Sequence, residues 1–372
     1  MDSVSPARLA SDAVRHLAPY VTGKPMSELE RELGITDIVK LASNENPLGP
    51  SPLAMAAMRR ALEDTWLYPD GNGHELKSAL ARVHGVDRAQ ITLGNGSNDL
   101  LVLLAEAFLT PRHAAVISQY AFAIYGIAIQ ATGARTVSVP AYAESSAMPF
   151  GHDLEAMLAA IDDDTRLVYI ANPNNPTGTW NDEAAIRRFL DRAPRSCIVV
   201  LDEAYFEYSR ARGCPNGIEL TRHYPNLVVL CTFSKAHALA GVRVGFACSH
   251  PEVADILNRV RQPFNVSLVG LAGAEAALED PQQPLRAAKL AEEGARQLGA
   301  ALPGLGVKPY ATAGNFVLVD VGSSGQAVFE RLLRKGVIVR PTGGYDLPRC
   351  VRITFGTAAQ NERLLSALSQ CL

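Results

Sequence analysis

Leu227-Val228-Val229-Leu230-Cys231-Thr232 runs straight into Phe233-Ser234-Lys235, and Cys197-Ile198-Val199-Val200-Leu201 runs straight into Asp202-Glu203-Ala204-Tyr205. A third apolar run, Leu167-Val168-Tyr169-Ile170-Ala171, leads into Asn172-Pro173-Asn174-Asn175-Pro176-Thr177-Gly178. A fourth, Val116-Ile117-Ser118, precedes Tyr120-Ala121-Phe122-Ala123-Ile124-Tyr125. Short buried runs that alternate with helical patterns predict an α/β fold with a largely parallel sheet. In an open sheet of that kind the residues after each strand collect at one carboxyl edge, where ligands bind. The polar tails therefore predict a single site. The spacing agrees: Asn175 and Asp202 are 27 residues apart and Asp202 and Lys235 are 33 apart, each close to the ~30 residues of one strand–helix–strand unit.

Outward from these strands, Leu76, Leu80 and Val83 share a helix face that Gly85 ends, and Leu100, Leu104 and Phe108 recur at four-residue spacing. After Phe264 the pattern changes to an Ala-rich helical stretch over 268–302. A strand at 315–320, a helix ending at Gly336 and strands around Val337 and Val351 follow. The shift predicts a large domain over 46–267 and a smaller C-terminal α/β domain over 268–372. Residues 1–45 hold one amphipathic helix and an extended stretch, too little to fold alone, and are expected to pack on a domain or on a partner subunit.

The 372 residues are enough for two domains, and a hydrophobic content of 48% with 20% charged residues is that of a folded globular chain. A net charge of −3 with mixed signs offers no basic face for nucleic acid and no polybasic arm for a membrane, which leaves small molecules as the expected partners. The start lacks a charged segment followed by an apolar one, and no stretch approaches the roughly 18 apolar residues of a membrane span, so a cytoplasmic location is expected. Six cysteines without C-x-x-C spacing read as reduced structural residues and argue against a zinc site, and no metal is expected.

Each polar tail has a plain reading and a chemical one. Lys235 could be a solvated lysine, or an amine kept deprotonated by burial and able to form an imine with an aldehyde. Arg243 could be a surface cation or a fork for a phosphate. Asp202 could cap a helix, or pair with a protonated pyridine nitrogen. The Asn174-Asn175 segment could be a turn, or a rigid support for an amide that bonds a ring oxygen. Gly94-Asn95-Gly96-Ser97-Asn98-Asp99 leads into a helix expected near Leu100; Ser97 or Asn98 could simply cap it, or its free N–H groups could face a phosphate. Phe122 could be core or could stack on an aromatic ring.

The ordered set Gly-Ser-Asn-Asp, Asn-Asn-Pro-Thr-Gly, Asp-Glu-Ala-Tyr and Ser-x-Lys resembles the fold-type I, aspartate-aminotransferase-like superfamily. Residues 40–50 (KLASNENPLGP), Tyr68-Pro69-Asp70-Gly71, residues 91–101 and residues 232–245 (TFSKAHALAGVRVG) resemble the histidinol-phosphate aminotransferase family, and the likeness extends over almost the whole chain. It implies a large domain with a mostly parallel seven-stranded sheet flanked by helices, and pyridoxal 5′-phosphate as cofactor. By the same resemblance Lys235 carries the cofactor and shuttles the proton, Asp202 pairs with the pyridine nitrogen, and Asn175 and Tyr205 contact the ring oxygen. Phe122 stacks on the ring, while Ser97, Asn98, Ser234 and Arg243 cup the phosphate. Tyr68 reaches in from the second subunit of a homodimer. Arg352 is implied to receive the substrate's anion, with Arg340, Tyr20 and Asn175 beside it.

The implied reaction is a transamination in histidine biosynthesis, from L-histidinol phosphate and 2-oxoglutarate to imidazole-acetol phosphate and L-glutamate. The alternatives are an aromatic amino-acid aminotransferase, a phosphothreonine decarboxylase, and a non-catalytic regulator that binds the same cofactor. Two positions depart from the family pattern: His237 stands where an aromatic residue is common, and Phe264-Asn265-Val266-Ser267 is one residue short.

Overall fold

The computed structural model describes residues 5–372. Its N-terminal segment holds a 3₁₀ turn at Pro6–Leu9, one helical turn at Asp12–Arg15, the expected amphipathic helix at Met26–Leu33, and β1 (Val39–Lys40). Gly34 stops the helix in the left-handed conformation, φ +67°, with its N–H on the Glu30 carbonyl. β1 pairs in parallel with Val337–Ile338, about 300 residues on, and Leu41 O accepts from the Thr354 N–H, so the segment is stitched to the C-terminal part of the chain.

Seven strands form the large sheet: β2 (Ile91–Gly94), β3 (Ala114–Ser118), β4 (Arg135–Val139), β5 (Thr165–Ala171), β6 (Ile198–Asp202), β7 (Leu227–Thr232) and β8 (Gly245–Cys248). Their order is β2-β8-β7-β6-β5-β3-β4, and only β8 runs against its neighbours. β7 has the expected bounds. β3 and β5 each begin two residues earlier than expected, and β6 is shifted by one, so that Asp202 is its last residue rather than the first residue of a loop. The register sets Ala171 of β5 beside Asp202 of β6, and Asp202 beside Leu230 of β7, so the three carboxyl ends lie side by side. Alternate residues face opposite sides: Val199, Leu201, Leu227 and Val229 pack on one face, and Val200, Val228 and Leu230 pack on the other with Leu100, Leu104 and Tyr125.

Three helical expectations change. Leu76 and Leu80 of the helix His74–His84 are buried, but Val83 is exposed and Ala79 takes the inward place. The helix expected near Leu100 begins at Ser97 and runs to Phe108, with Gly96 as its cap. The Ala-rich stretch 268–302 is two helices, Leu268–Leu278 and Gln282–Ala301, separated at Asp280-Pro281, because proline has no N–H to continue the first. Ala274 and Ala277 of the first helix belong to the core under the large sheet, beyond the expected boundary at 267/268.

β9 (Lys308–Pro309), β10 (Phe316–Asp320), β11 (Val337–Ile338), β12 (Arg340–Pro341) and β13 (Cys350–Thr354) complete the strands. β12, β13, β10 and β9 form an antiparallel sheet in that order. The second half of Gln282–Ala301 and the helices Gly325–Leu333 and Ala358–Ser369 cover it, burying Leu298, Val328 and Leu364 on Val319 and Ile353. The six cysteines are free. Among the described residues no helix is long and apolar enough to cross a membrane.

Candidate active site

A cavity of about 220 Å³ opens at the carboxyl ends of β5, β6 and β7. Its walls contain every site residue expected from the sequence except Tyr68: Lys235, Asp202, Tyr205, Asn175, Phe122 and Ser234, then Ser97, Asn98 and Arg243, then Tyr20, Arg340 and Arg352. Tyr68 is 82% exposed and stacks on Phe264, ring centroids 4.8 Å apart, away from the cavity of its own chain.

Lys235 stands three residues past the end of β7. Its Nζ donates to the Ser43 carbonyl at 3.1 Å and lies 5.7 Å from the Tyr205 ring centre. Burial, then the guanidinium of Arg352 and, more weakly, that of Arg243 lower its pKa to about 8, against the pull of Glu45 and Asp202. The amine is thus largely neutral only slightly above physiological pH.

Asp202 is 7% exposed and faces the cavity from the end of β6. Its Oδ2 accepts from the Tyr125 hydroxyl at 2.8 Å and its Oδ1 from the Ala204 N–H at 3.1 Å. Burial pushes this carboxyl up, while Tyr125, Ala204 and Lys235 pull it back. It does not cap a helix: the next helical turn starts at Phe206 with Tyr205 at the cap position.

Sequence reasoning missed Tyr125 and Asn44. Tyr125 is wholly buried, its ring stacked on Tyr169 at 4.9 Å, so its hydroxyl is fixed on Asp202. The available signal was an aromatic one helical turn after Phe122, on a helix that packs under the sheet. Asn44 lay inside a quoted motif without a role. Its Nδ2 donates to Tyr205 Oη at 2.8 Å, and its own backbone, at φ +56°, is held by Thr354 and Asn315. With Oη accepting from Asn44, the Tyr205 proton is free to donate into the cavity, and burial holds that phenol at about 12.

One end of the cavity suits an anion. Gly96, at φ +79°, caps the helix Ser97–Phe108 with no side-chain bond to the first N–H groups. A Cβ on Gly96 would lie 2.2 Å from Arg243 Nη2, and one on Gly245 would lie 2.4 Å from the Ser97 nitrogen. Only glycine lets these chain segments approach so closely. Arg243 Nη1 donates to Ser234 Oγ at 3.3 Å, and Thr232 Oγ1 bonds the same hydroxyl at 3.0 Å.

The other end is also cationic. Arg352, on β13 and 7% exposed, donates through Nη1 to Asn175 Oδ1 and through Nη2 to the Ala42 carbonyl, while its buried Nε has no partner. Because Arg352 occupies the oxygen of Asn175, the amide N–H groups of Asn175 remain free. Arg340, on β12, donates to Val21 O at 2.7 Å and lies over Tyr20, whose ring meets Phe122 edge-on.

These walls suit a phosphorylated pyridine aldehyde. Arg243, the two serines and a free helix terminus match its phosphate, and a buried carboxylate with no cation within 4 Å among the described residues matches its ring nitrogen. Two free donors, Asn175 and Tyr205, match its ring oxygen, and a depressed lysine matches its aldehyde.

This sheet, with an amine, an acid and an anion cradle converging on its carboxyl edge, defines a fold-type I aminotransferase, and the family model for aminotransferase class I and II matches residues 36–368. Histidinol-phosphate aminotransferase 2 of Pseudomonas fluorescens strain Pf0-1 is 52% identical over 98% of this chain and 97% of its own length. The enzyme of the same name from Pseudomonas aeruginosa is 52% identical over 98% of each. The crystal structure of histidinol-phosphate aminotransferase from Sinorhizobium meliloti in complex with pyridoxal-5′-phosphate superimposes with a TM-score of 0.88 at 32% identity, covering 100% of this chain and 98% of that one. The chain belongs to the histidinol-phosphate aminotransferase family.

Proposed function

We propose that this chain transfers the amino group of L-histidinol phosphate to 2-oxoglutarate, giving imidazole-acetol phosphate and L-glutamate. It would do so in the cytoplasm, within histidine biosynthesis, as a homodimer with pyridoxal 5′-phosphate bound. The observation that carries the reading is one cavity with two cationic ends, Arg243 at one and Arg352 with Arg340 at the other, both felt by the same lysine. One end suits the cofactor's phosphate and leaves the other for an anionic substrate.

Lys235 would hold the cofactor's aldehyde carbon, Asp202 its ring nitrogen, Asn175 and Tyr205 its ring oxygen, and Phe122 a face of the ring. Ser97, Asn98, Ser234 and Arg243 would hold its phosphate, with Tyr68 of a second subunit beside them. When bound, the cofactor supplies a carbonyl that condenses with amines and a ring that spreads the charge left by proton removal. Lys235 Nζ takes the proton from the amino-bearing carbon of the donor, and a pKa of about 8 suits a base working near neutral pH. Asp202, whose two oxygens are oriented by Tyr125 and the Ala204 N–H, would stabilise positive charge on its side of the cavity. Arg352 is already oriented by Asn175 and Ala42, so its free edge receives the donor's phosphate in one half-reaction and the acceptor's carboxylate in the other. Arg340 and Tyr20 close that end.

The test is steady-state kcat/KM with 2-oxoglutarate for L-histidinol phosphate against phenylalanine. A preference of about 10²-fold or more for the phosphate is expected, the worth of a dianion on two guanidiniums. A preference for phenylalanine would replace this reading with an aromatic amino-acid aminotransferase.

A further inference from the structure

Behind the ends of β6 and β7, on the opposite sheet face from Asp202, lies a second cavity of about 300 Å³, larger than the first. Its walls are mostly apolar, with three aromatic rings, Phe206, Phe233 and Phe246, and three carboxyl groups, Glu203, Glu207 and Asp280, of which Asp280 is paired with Arg286. We propose that this cavity is a second ligand site, separate from the reaction centre, for a small cation that carries an apolar ring, an amine of the benzylamine class.

Strand periodicity makes the separation. Asp202 and Glu203 are neighbours in sequence and so point to opposite faces, one into the active site and the other into this cavity. Glu203 is 2% exposed; its Oε1 accepts from the Gly217 N–H at 2.9 Å, an approach that a Cβ on Gly217 would block. Neither Glu203 nor Glu207 enters any ion pair among the described residues. Two carboxyls without an ion-pair partner in one apolar recess are costly to ionise there, and burial lifts both, Glu207 to about 7 although Arg210 on the rim pulls it back. A ligand ammonium would supply the missing charge, and the faces of the aromatic rings would add cation–π attraction.

A second observation points the same way. His237 lines the cavity with its ring against Phe233, centroids 5.0 Å apart, and its buried Nδ1 has no hydrogen-bond partner. Burial drives this imidazole down to about 4, so it is a neutral polar group rather than a competing cation. The cationic group on the rim is Arg210, which lies over the outer ring of Phe206. An apolar pocket with a few convergent polar groups is the usual form of a small-molecule site.

The site touches both parts of the molecule that matter for turnover. Phe233 lies two residues before Lys235, and Pro281, Pro284 and Leu285 belong to the root of Gln282–Ala301, the helix that joins the large-sheet core to the C-terminal sheet. Occupancy would therefore brace that helix against the strand that leads to the lysine.

The probe is N,N-dimethylbenzylamine, a tertiary amine that cannot condense with an aldehyde, titrated calorimetrically at pH 8 into the holoenzyme. One saturable site per chain is expected with Kd of about 1 mM or tighter, unchanged when the active site is filled with phosphate ester. Benzyl alcohol, of similar shape and uncharged, should bind at least about tenfold more weakly, as should the amine to Glu207→Gln. Leu285→Trp, at a half-exposed position on the rim, should block binding without altering the charge. Lack of saturation at about 10 mM, equal binding of the alcohol, binding unaffected by both variants, or competition with the active-site ester would each overturn the proposal.

Discussion

At the scale of single residues, burial and a few neighbours tune the proton affinity of Lys235 and Asp202. Replacing Lys235 by Ala removes a group whose proton transfers are worth on the order of 10²–10⁴-fold. Turnover should fall at least that far while circular dichroism stays native, because the lysine packs on the site and not in the core. Tyr125→Phe deletes one of the two hydrogen bonds on the Asp202 carboxylate and leaves the ring stack in place. A bond to a charged group contributes about 1.5–3 kcal/mol, so cofactor affinity should weaken about tenfold or more, and the pH titration of cofactor absorbance should shift. An unshifted titration would remove Tyr125 from the site's electrostatics. The pH dependence of cofactor loading follows from Lys235. Its pKa is lowered from 10.5 to about 8, so the neutral amine in the apo-protein grows with pH and saturates above about 8. Reconstitution rates should rise to a plateau there. Between about 8 and 10.5 the unfolded chain binds this proton and the folded one does not, so the same group makes apo-protein stability rise with pH over that window. The residues with chemistry of their own were legible because each sits just beyond a strand end. Tyr125 and Asn44 were not, since their roles arise from contacts to Asp202 and Tyr205 across 77 and 161 residues.

At the scale of elements, the anion cradle depends on two chain segments passing closer than any side chain permits. Gly96→Ala would put a methyl group into the Arg243 guanidinium at a left-handed backbone position, a strain of about 1–3 kcal/mol. Equilibrium dialysis should show the cofactor bound roughly tenfold or more weakly, and unaltered affinity would mean that this turn holds no phosphate. The same turn shows why the sequence misled: the apolar repeat starts at Leu100, but the helix starts at Ser97, because Gly96 caps it by backbone conformation without a capping side chain. β4 was missed for a related reason. As an edge strand of exposed and polar residues it lacks the apolar run that marks β5, β6 and β7. The break at Asp280-Pro281 was legible in the proline, yet the alanines on both sides hid it.

At the scale of the whole molecule, Trp66 and Tyr68 are about four-fifths exposed, next to half-exposed Leu67 and Phe264. Such an apolar patch on a folded chain marks an interface, and it is where the proposed homodimer would bring Tyr68 to a neighbouring cavity. Sedimentation should give a dimer, and Trp66→Asp should yield monomers with little activity; fully active monomers would show that each cavity is complete by itself. The change of pattern after Phe264 placed an expected boundary at 267/268, but the contribution of Leu268–Leu278 to the large-sheet core became clear only from packing. All of this converges on one lysine as the attachment point. Borohydride reduction of the holoenzyme followed by digestion and mass spectrometry locates that bond: a pyridoxyl label on Lys235 alone is predicted, and a label on another lysine, or none, would contradict the account.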